Sequence, residues 1–255
     1  MTYLDSIILG ITEGLTEFLP ISSTGHLILM SGVLGLSQTD FLKSFEIAIQ
    51  LGSILAVVVW YWRSFLDVEV LKRLAVAFIP TGIIGLVLYK LIKEFLIGNT
   101  VVVVWALLLG GVAIIAIEYF HTKQESTASD VTVISYWQSF LLGTAQALAV
   151  IPGVSRSGST VMGGLLLGIP RTVLLTFSFL LAVPTMLMAT SYDIYKNPEI
   201  LSVSQLPLLA TGFVTAFIVA LVVIRYALSY IKHHSFVAFG VYRIILALVF
   251  LLVVL

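Results

Sequence analysis

The sequence lacks cysteine entirely and has very few charged residues. Its 255 residues are 10% charged and 60% hydrophobic, with a mean hydropathy of +1.12. The absence of cysteine excludes disulfides and thiolate metal ligands. A soluble domain has about 25% charged residues, which it needs to cover its surface. So few charges cannot cover a water-exposed surface, and the sequence therefore predicts an integral membrane protein.

An excess of positive charge is also missing. Lysine and arginine total 13, as do aspartate and glutamate, and the basic residues are scattered along the chain. This pattern argues against nucleic-acid binding, which requires a clustered basic surface. The N-terminal MTYLDSIILG has no basic residue before its apolar run, so a cleaved signal peptide is not expected.

Six apolar stretches are long enough to be transmembrane helices, which need roughly 20 mostly apolar residues. They are residues 42–62, 74–92, 99–119, 172–192, 206–228 and 236–254. The long polar segment HTKQESTASD, residues 121–130, lies near the middle of the chain. It is the natural boundary between two halves.

Residues 2–36 and 136–168 do not fit as simple spans. Each region reads as an apolar helix, a break rich in proline, glycine and serine, and a second short helix. Non-helical backbone at membrane depth is tolerated only inside protein or beside a watery cavity. We therefore predict two re-entrant helical hairpins, each of which leaves the membrane on the side it entered.

The two hairpin regions resemble each other. LGITEGLTEFLPISSTG (9–25) aligns with LGTAQALAVIPGVSRSG (142–158), 133 positions later, and PTGIIG (80–85) resembles ATGFVT (210–215). Chance similarity between apolar segments is the alternative. A duplication predicts one membrane domain over 1–255, with repeats at 1–120 and 131–255, each containing one hairpin and three spans. Three spans are an odd number, so the second repeat is inverted and the hairpin tips meet near the midplane.

Basic residues at the ends of the spans predict the orientation. The face that holds the N-terminus has Lys43, Lys90, Lys93 and Lys196, and the other has Arg63, Lys72, Arg73, Lys123, Arg171, Arg225 and Lys232. Cytoplasmic loops carry the excess of lysine and arginine. The second face is therefore predicted to be cytoplasmic, with both termini outside.

The first break carries two acids. Glu13 and Glu17 are four residues apart, so they share one face of a helix. Ionised carboxylates in a membrane are costly and usually have partners. A hard divalent cation, Mg²⁺ or Ca²⁺, would suit both oxygen ligands. Alternatively, one acid is protonated or pairs with Arg156.

A turn of small residues precedes the second helix of this hairpin. It contains Ser22, Ser23, Thr24 and Gly25. Such a turn caps the helix, and the same helix start can also bind an anion. His26 follows in the first helical turn, where it is either a proton-transfer group that titrates near neutral pH or a hydrogen-bonded structural residue.

The second break, PGVSRSGST (152–160), places Arg156 among Ser155, Ser157 and Gly158. A guanidinium suits phosphate oxygens in bidentate fashion. Its partner is expected to be either Glu17 or a bound phosphate, and phosphate is the functional choice. Glu46 and Gln50 share one helix face and are secondary candidates for the same interior.

Together these residues predict a phosphate-handling centre, because phosphoryl transfer depends mainly on positioning and on charge stabilisation. The depth in the membrane favours a lipid-linked phosphate as substrate. A transporter or flippase is the main rival, because inverted repeats and broken helices are also typical of transporters. A non-catalytic scaffold would leave the acids and the arginine at the breaks unexplained.

EGLTEFLPISSTGH (13–26) and PGVSRSGST together closely resemble the paired motifs of bacterial undecaprenyl-diphosphate phosphatases of the bacitracin-resistance type. The resemblance continues through FEIAIQLGSILAVVVW (45–60) and FSFLLAVP (177–184) and covers essentially the whole chain. It implies a plasma-membrane hydrolase that converts undecaprenyl diphosphate to undecaprenyl phosphate and inorganic phosphate. This reaction recycles the lipid carrier for cell-wall synthesis and gives bacitracin resistance.

The resemblance also implies roles for individual residues. Glu13 and Glu17 would bind Mg²⁺ or Ca²⁺, Arg156 would clamp phosphate, and Ser23 and His26 would be the nucleophile or the proton-handling pair. Either Ser23 attacks phosphorus, or His26 activates water. The phosphate-binding set would be Arg156, Ser22, Ser23, Thr24, Gly25, Ser155, Ser157 and Gly158. The active site is expected to open to the outer face. The expected partners are the isoprenyl diphosphate and membrane lipids but no nucleic acid, and a homodimer is left open.

Overall fold

The computed structural model describes residues 1–120 and 130–254. Most of the polar linker 121–130, including Lys123, therefore lies outside the described residues. Over the described ranges the chain forms helices and no strand, which confirms the predicted helical class. The ten α-helices are α1 (Tyr3–Thr16), α2 (Ser23–Val33), α3 (Asp40–Tyr61), α4 (Val68–Leu91), α5 (Thr100–Phe120), α6 (Tyr136–Ala147), α7 (Arg156–Leu166), α8 (Arg171–Lys196), α9 (Leu206–His233) and α10 (Val237–Val254).

Five helical segments in the described part of the chain are long and apolar enough to cross a membrane. They are α3, α4 with the π-helical turn Ile92–Leu96, α5, α8 and the stretch Leu206–Ile231 of α9. The sixth expected span corresponds to α10, whose apolar stretch Val237–Leu252 is shorter than these five and than the roughly 20 residues of a typical span. The multi-pass character is thus established with five candidate spans.

The two predicted hairpin regions have the same local structure. The side chains of Thr2 and Ser135 each accept a hydrogen bond from the backbone N–H three residues later, and the backbone N–H groups of Thr2 and Ser135 donate to the side chains of Asp5 and Gln138. These capping boxes satisfy backbone groups that would otherwise lack partners. A break containing proline follows α1 and α6 in turn, and a helix of 11 residues follows each break.

The first helix of each hairpin packs against a long helix from the opposite half of the chain. α1 packs on α9, and α6 packs on α4. Both contacts bring backbones together, because a Cβ at Gly10 would lie 2.7 Å from the Gly212 carbonyl oxygen and one at Gly143 would overlap the Ala77 carbonyl. Thr81 Oγ1 also donates to the Gly143 carbonyl at 2.7 Å. Small residues allow this close approach between membrane helices.

The centre of the molecule is tightly packed, whereas the outer helix faces are apolar. Phe18, just after α1, meets Phe179 of α8 edge to face at a centroid distance of 5.1 Å. On the outside, the apolar side chains of Ile83, Val87 and Val222 are 58%, 74% and 57% exposed. An exposed apolar surface of this kind suits a protein whose solvent is lipid.

Ion pairs join the helices near both ends of the bundle. Lys93 Nζ lies 2.6 Å from Asp193 Oδ1, and Lys43 Nζ donates to the Lys93 carbonyl at 3.2 Å. Elsewhere, Arg171 Nη2 lies 2.6 Å from Glu118 Oε1. Lys43 and Lys93 therefore lie close together, and the side of the membrane on which they lie stays a prediction.

Candidate active site

The two hairpin tips meet through an ion pair between Glu17 and Arg156. Glu17 is the C-cap of α1, and Arg156 is the first residue of α7. Arg156 Nη2 donates to Glu17 Oε1 at 2.6 Å, and Nη1 donates to the Ser178 carbonyl at 3.0 Å. Of the two partners expected for Arg156, the structure thus shows Glu17. The guanidinium is held by one carboxylate oxygen and one carbonyl.

Ser23 lies on the other side of the same carboxylate. It opens α2, and its Oγ donates to Glu17 Oε2. Glu17 therefore links a hydroxyl of its own hairpin to the guanidinium of the other. A hydroxyl that donates to a carboxylate has the base it needs to become a nucleophile.

Two serines in a strained conformation position these groups. Ser22 and Ser155 are the N-caps of α2 and α7, with φ of 70° and 79°, and no other non-glycine residue in the described ranges has a positive φ. Their Oγ atoms accept from the backbone N–H of Gly25 at 3.3 Å and of Gly158 at 3.1 Å. Such strain persists only where the surroundings enforce it and is common at functional sites. The two caps thereby place the first residues of α2 and α7, Ser23 and Arg156, beside Glu17.

Arg243 of α10 connects both breaks, and sequence reasoning assigned it no role. Its side chain is fully buried, and its guanidinium donates to the carbonyls of Pro20 at 3.2 Å and Gly153 at 2.7 Å. The remaining acceptors are the carbonyls of Leu107, Ala106 and Val154. A single arginine within an apolar span, without an acid nearby in sequence, was the available signal. Its partners are main-chain atoms, which no residue type reveals.

A cavity of about 220 Å³ adjoins the meeting point. Six of the eight expected phosphate-binding residues line it, namely Ser22, Ser23, Thr24, Ser155, Arg156 and Ser157, and so does the metal-ligand candidate Glu17. Gly25 and Gly158 supply the N–H groups that the two cap serines bind. Ser157 also donates from Oγ to the Leu19 carbonyl at 3.1 Å, which ties the second break to the first. The structure thus brings the two predicted motifs to one chamber.

Gln146 is a second residue that sequence reasoning missed. It lines the cavity, and its Nε2 donates to Thr185 Oγ1 at 3.0 Å and to Thr81 Oγ1 at 3.3 Å. In the alignment with a displacement of 133 residues, Gln146 corresponds to Glu13. That correspondence was the available signal. The second repeat therefore has a neutral amide where the first has an acid.

Glu13 is a candidate cation ligand, although it is not among the described residues that line the cavity, whereas Glu17 is. Its side chain is 0% exposed, and neither carboxylate oxygen has a hydrogen-bond partner among the described residues. Glu17 and Ser53 are close enough to interact with its carboxyl group, although neither makes a hydrogen bond of standard geometry with it. The described part of the chain contains no cluster of three or more histidine, aspartate or glutamate side chains. Mg²⁺ is often bound by only one or two carboxylates together with substrate phosphates, so the Glu13 and Glu17 pair suits it.

His26 points away from this chamber. Its Nδ1 lies 2.8 Å from the Ser22 carbonyl, its Nε2 lies 2.8 Å from the Tyr242 hydroxyl, and its ring stacks on Tyr242 at a centroid distance of 5.6 Å. It does not belong to the cavity lining formed by the described residues. The expected position in the first turn of α2 is correct, and a proton-transfer role stays a prediction.

The secondary candidates Glu46 and Gln50 differ. Gln50 lines the cavity, and its Oε1 accepts from Thr24 Oγ1 at 3.4 Å. Glu46 is 1% exposed, does not line the cavity, and has no hydrogen-bond partner for either carboxylate oxygen within the described ranges. Only Gln50 therefore borders the site directly.

Comparison with known proteins agrees with this geometry. The family model of the bacitracin resistance protein BacA matches residues 6–249. The chain belongs to this BacA family. The undecaprenyl-diphosphatase of Sulfurihydrogenibium sp. (strain YO3AOP1) is 53% identical over 252 residues, covering 99% of both chains. That of Aquifex aeolicus (strain VF5) is 53% identical over 251 residues, covering 98% of both.

A third relative of the family is the undecaprenyl-diphosphatase of Persephonella marina (strain DSM 14350 / EX-H1), 52% identical over 256 residues and all of both chains. The BacA match covers the breaks of both hairpins and Arg243. The matched region therefore contains all the residues that line the cavity.

Proposed function

We propose that this chain is an undecaprenyl-diphosphatase, a membrane hydrolase that converts undecaprenyl diphosphate to undecaprenyl phosphate and inorganic phosphate. The reaction recycles the lipid carrier for cell-wall synthesis and gives resistance to bacitracin. Full-length similarity to relatives of that name supports this function. The observation that carries it is the buried contact of Glu17 with both Arg156 and Ser23 beside a cavity.

Ser23 is the proposed nucleophile. Its Oγ attacks the terminal phosphorus, its proton passes to Glu17 Oε2, and the bridging P–O bond breaks to release undecaprenyl phosphate. Water then cleaves the phosphoserine to inorganic phosphate. The existing hydrogen bond from Ser23 to Glu17 supports this assignment over direct activation of water by His26, whose ring nitrogens contact other groups.

Arg156 is the proposed phosphate clamp. Its guanidinium would bind oxygens of the terminal phosphate as negative charge moves toward the leaving group. Free backbone N–H groups at the starts of α2 and α7 would add donors, because a helix N-terminus favours an anion. Binding a diphosphate would redistribute the contacts that Arg156 makes with Glu17.

A divalent cation, Mg²⁺ or Ca²⁺, is the proposed cofactor, and Glu13 and Glu17 would hold it. When bound, it would neutralise charge on the diphosphate oxygens. The buried carboxyl group of Glu13 supports this proposal, because its oxygens make no hydrogen bond in the described part of the chain and a cation would give them a partner.

The proposed architecture is six membrane-spanning helices and two re-entrant hairpins in two inverted repeats. Two features support it: the matched bounds of α1 and α2 with α6 and α7, and the reciprocal packing of α1 on α9 and of α6 on α4. The substrate would approach from the outer face, with both termini outside. Tyr89 and Ile92 line the cavity near Lys93, which belongs to the face assigned to the outside.

Phosphate release in detergent tests the function and excludes pure transport. The purified chain should release inorganic phosphate from undecaprenyl diphosphate, lose activity with EDTA, and regain it with Mg²⁺ or Ca²⁺. A protein that only transports lipid-linked phosphate would not release inorganic phosphate, and in detergent there are no two membrane sides between which to transport it. Absence of release by a folded wild-type chain, in the presence of either cation, would overturn the proposal.

A further inference from the structure

The cavity has a polar inner end and an apolar wall. Glu17, Ser23 and Arg156, which meet at the hairpin tips, form the polar end, whereas Gly85 and Leu86 of α4 belong to the wall. Residues of α8 face them across the cavity, including Met186, Met188 and Ala189. The division matches a ligand with a charged headgroup and a hydrocarbon chain.

The cavity is too small to enclose such a ligand. Its volume is about 220 Å³. Pockets that bury most of a drug-sized ligand measure roughly 300–1,000 Å³. A diphosphate and the first carbons fit this chamber, but a long isoprenyl chain must leave it.

The rim of the cavity on α4 and α8 includes exposed residues. Leu86 lines the cavity, yet its side chain is 40% exposed, and Ala189 also both lines the cavity and is exposed. Val87, the next residue along α4, is 74% exposed on an apolar face. An exposed apolar rim of this kind suits lipid rather than water.

We infer that the isoprenyl chain leaves the site sideways between α4 and α8, and that the missing side chain at Gly85 sets the width of this passage. The inference rests on the proposed function, since it assigns the path of the same substrate. It makes Gly85 a specificity-determining residue for long-chain diphosphates.

The packing of the fold does not explain a glycine at position 85. A Cβ built there meets no atom within 4 Å, unlike those at Gly10 and Gly143, which would strike backbone. Glycine is also among the poorest helix formers, and Gly85 lies inside α4. A larger residue would therefore fold well but would project into open space beside the chain path.

The first experiment compares Gly85→Leu with Gly32→Leu, using purified protein and farnesyl diphosphate or undecaprenyl diphosphate. A Cβ at Gly32 of α2 also meets nothing within 4 Å, and Gly32 does not line the cavity. For Gly85→Leu we expect kcat/KM to fall at least about tenfold, mainly through KM. The added side chain would displace the isoprenyl chain from the wall, and the loss of two buried methylene contacts of that chain corresponds to a change of this size. Gly32→Leu should match the wild type. Equal kcat/KM for all three proteins would overturn the inference.

The second experiment measures binding without catalysis. Since the chain has no cysteine, Leu86→Cys and Val87→Cys each introduce a unique thiol. Farnesyl methylenediphosphonate, which cannot be hydrolysed at its carbon bridge, should slow maleimide labelling at position 86 severalfold but not at position 87. Equal protection at both positions, or at neither, would contradict a passage beside Leu86.

The two experiments separate this inference from the proposed function. If the wild type releases phosphate while Gly85→Leu is unimpaired and position 86 is unprotected, the passage is wrong and the enzyme assignment stands. If the wild type releases none yet position 86 is protected, the passage stands as a lipid-binding path and the enzyme assignment fails.

Discussion

Ser22 and Ser155 hold the same strained backbone conformation at the starts of α2 and α7, with φ of 70° and 79°. They are 133 positions apart, the spacing at which the two hairpin sequences align. Each accepts a backbone N–H bond from a glycine three residues later. The next residues are Ser23 and Arg156, so the strained caps place a hydroxyl and a guanidinium on one carboxylate.

The cap at Ser155 predicts an unusual ranking of variants. N-cap Ser→Ala costs about 0.5–2 kcal/mol, whereas Ser→Gly costs only a few tenths, and glycine also tolerates a positive φ. Ser155→Ala should therefore have a lower Tm in detergent than Ser155→Gly. At Thr144, an exposed position inside α6, alanine should be more stable than glycine. The same order at both sites would contradict this interpretation.

The ion pair predicts separable effects on stability and chemistry. Arg156→Ala and Glu17→Ala should each abolish phosphate release while the protein still inserts in the membrane. Each should also lower the stability, because removing one partner of a buried pair costs about 3–5 kcal/mol. The exchange Glu17→Arg with Arg156→Glu should recover part of the Tm but no activity, since the base is then no longer beside Ser23. Recovery of phosphate release in the exchanged protein would show that the pair is only structural.

Arg243 is expected to be a positioning residue whose loss loosens both hairpin tips. Arg243→Met leaves five carbonyl contacts unmade, and each buried acceptor without a donor costs about 1–3 kcal/mol. Arg243→Lys should be intermediate, because an ammonium cannot reach the same carbonyls as a planar fork. Thermal unfolding and phosphate release should decline in that order. Arg225→Met, at an exposed position of α9, should change neither measurement.

If Glu13 binds the cation, its replacement should change the cation concentration that phosphate release requires. Glu13→Gln keeps the size of the side chain and removes its charge, so the concentration of Mg²⁺ or Ca²⁺ for half-maximal phosphate release should rise roughly tenfold or more, because even residues behind metal ligands change affinity 10–100-fold. Glu94→Gln, an exposed acid, should keep the wild-type titration. An unchanged cation titration in Glu13→Gln would exclude the acid as a ligand.

The sequence predicted the helical class, the two interrupted regions and the approach of Glu17 to Arg156, because proline-containing breaks and intramembrane charges have few explanations in lipid. It did not predict the role of Arg243, because that guanidinium binds carbonyls, which every residue type has. The direction of His26 was equally hidden, since its partner Tyr242 is distant in sequence.

The contact between α6 and α4 supplies a final prediction. A methyl group at Gly143 would overlap the Ala77 carbonyl, so Gly143→Ala must push apart two helices and break the bond from Thr81. Overpacking of this kind costs about 1–3 kcal/mol. Gly32→Ala adds the same methyl group in open space, where alanine gains about 0.5–1 kcal/mol over glycine in a helix. The two changes should therefore shift the Tm in opposite directions.

Because Gln146 is on the same helix and donates to Thr81, Gly143→Ala should also displace the cavity wall and reduce phosphate release. A higher Tm for Gly143→Ala would mean that α6 and α4 are not in backbone contact.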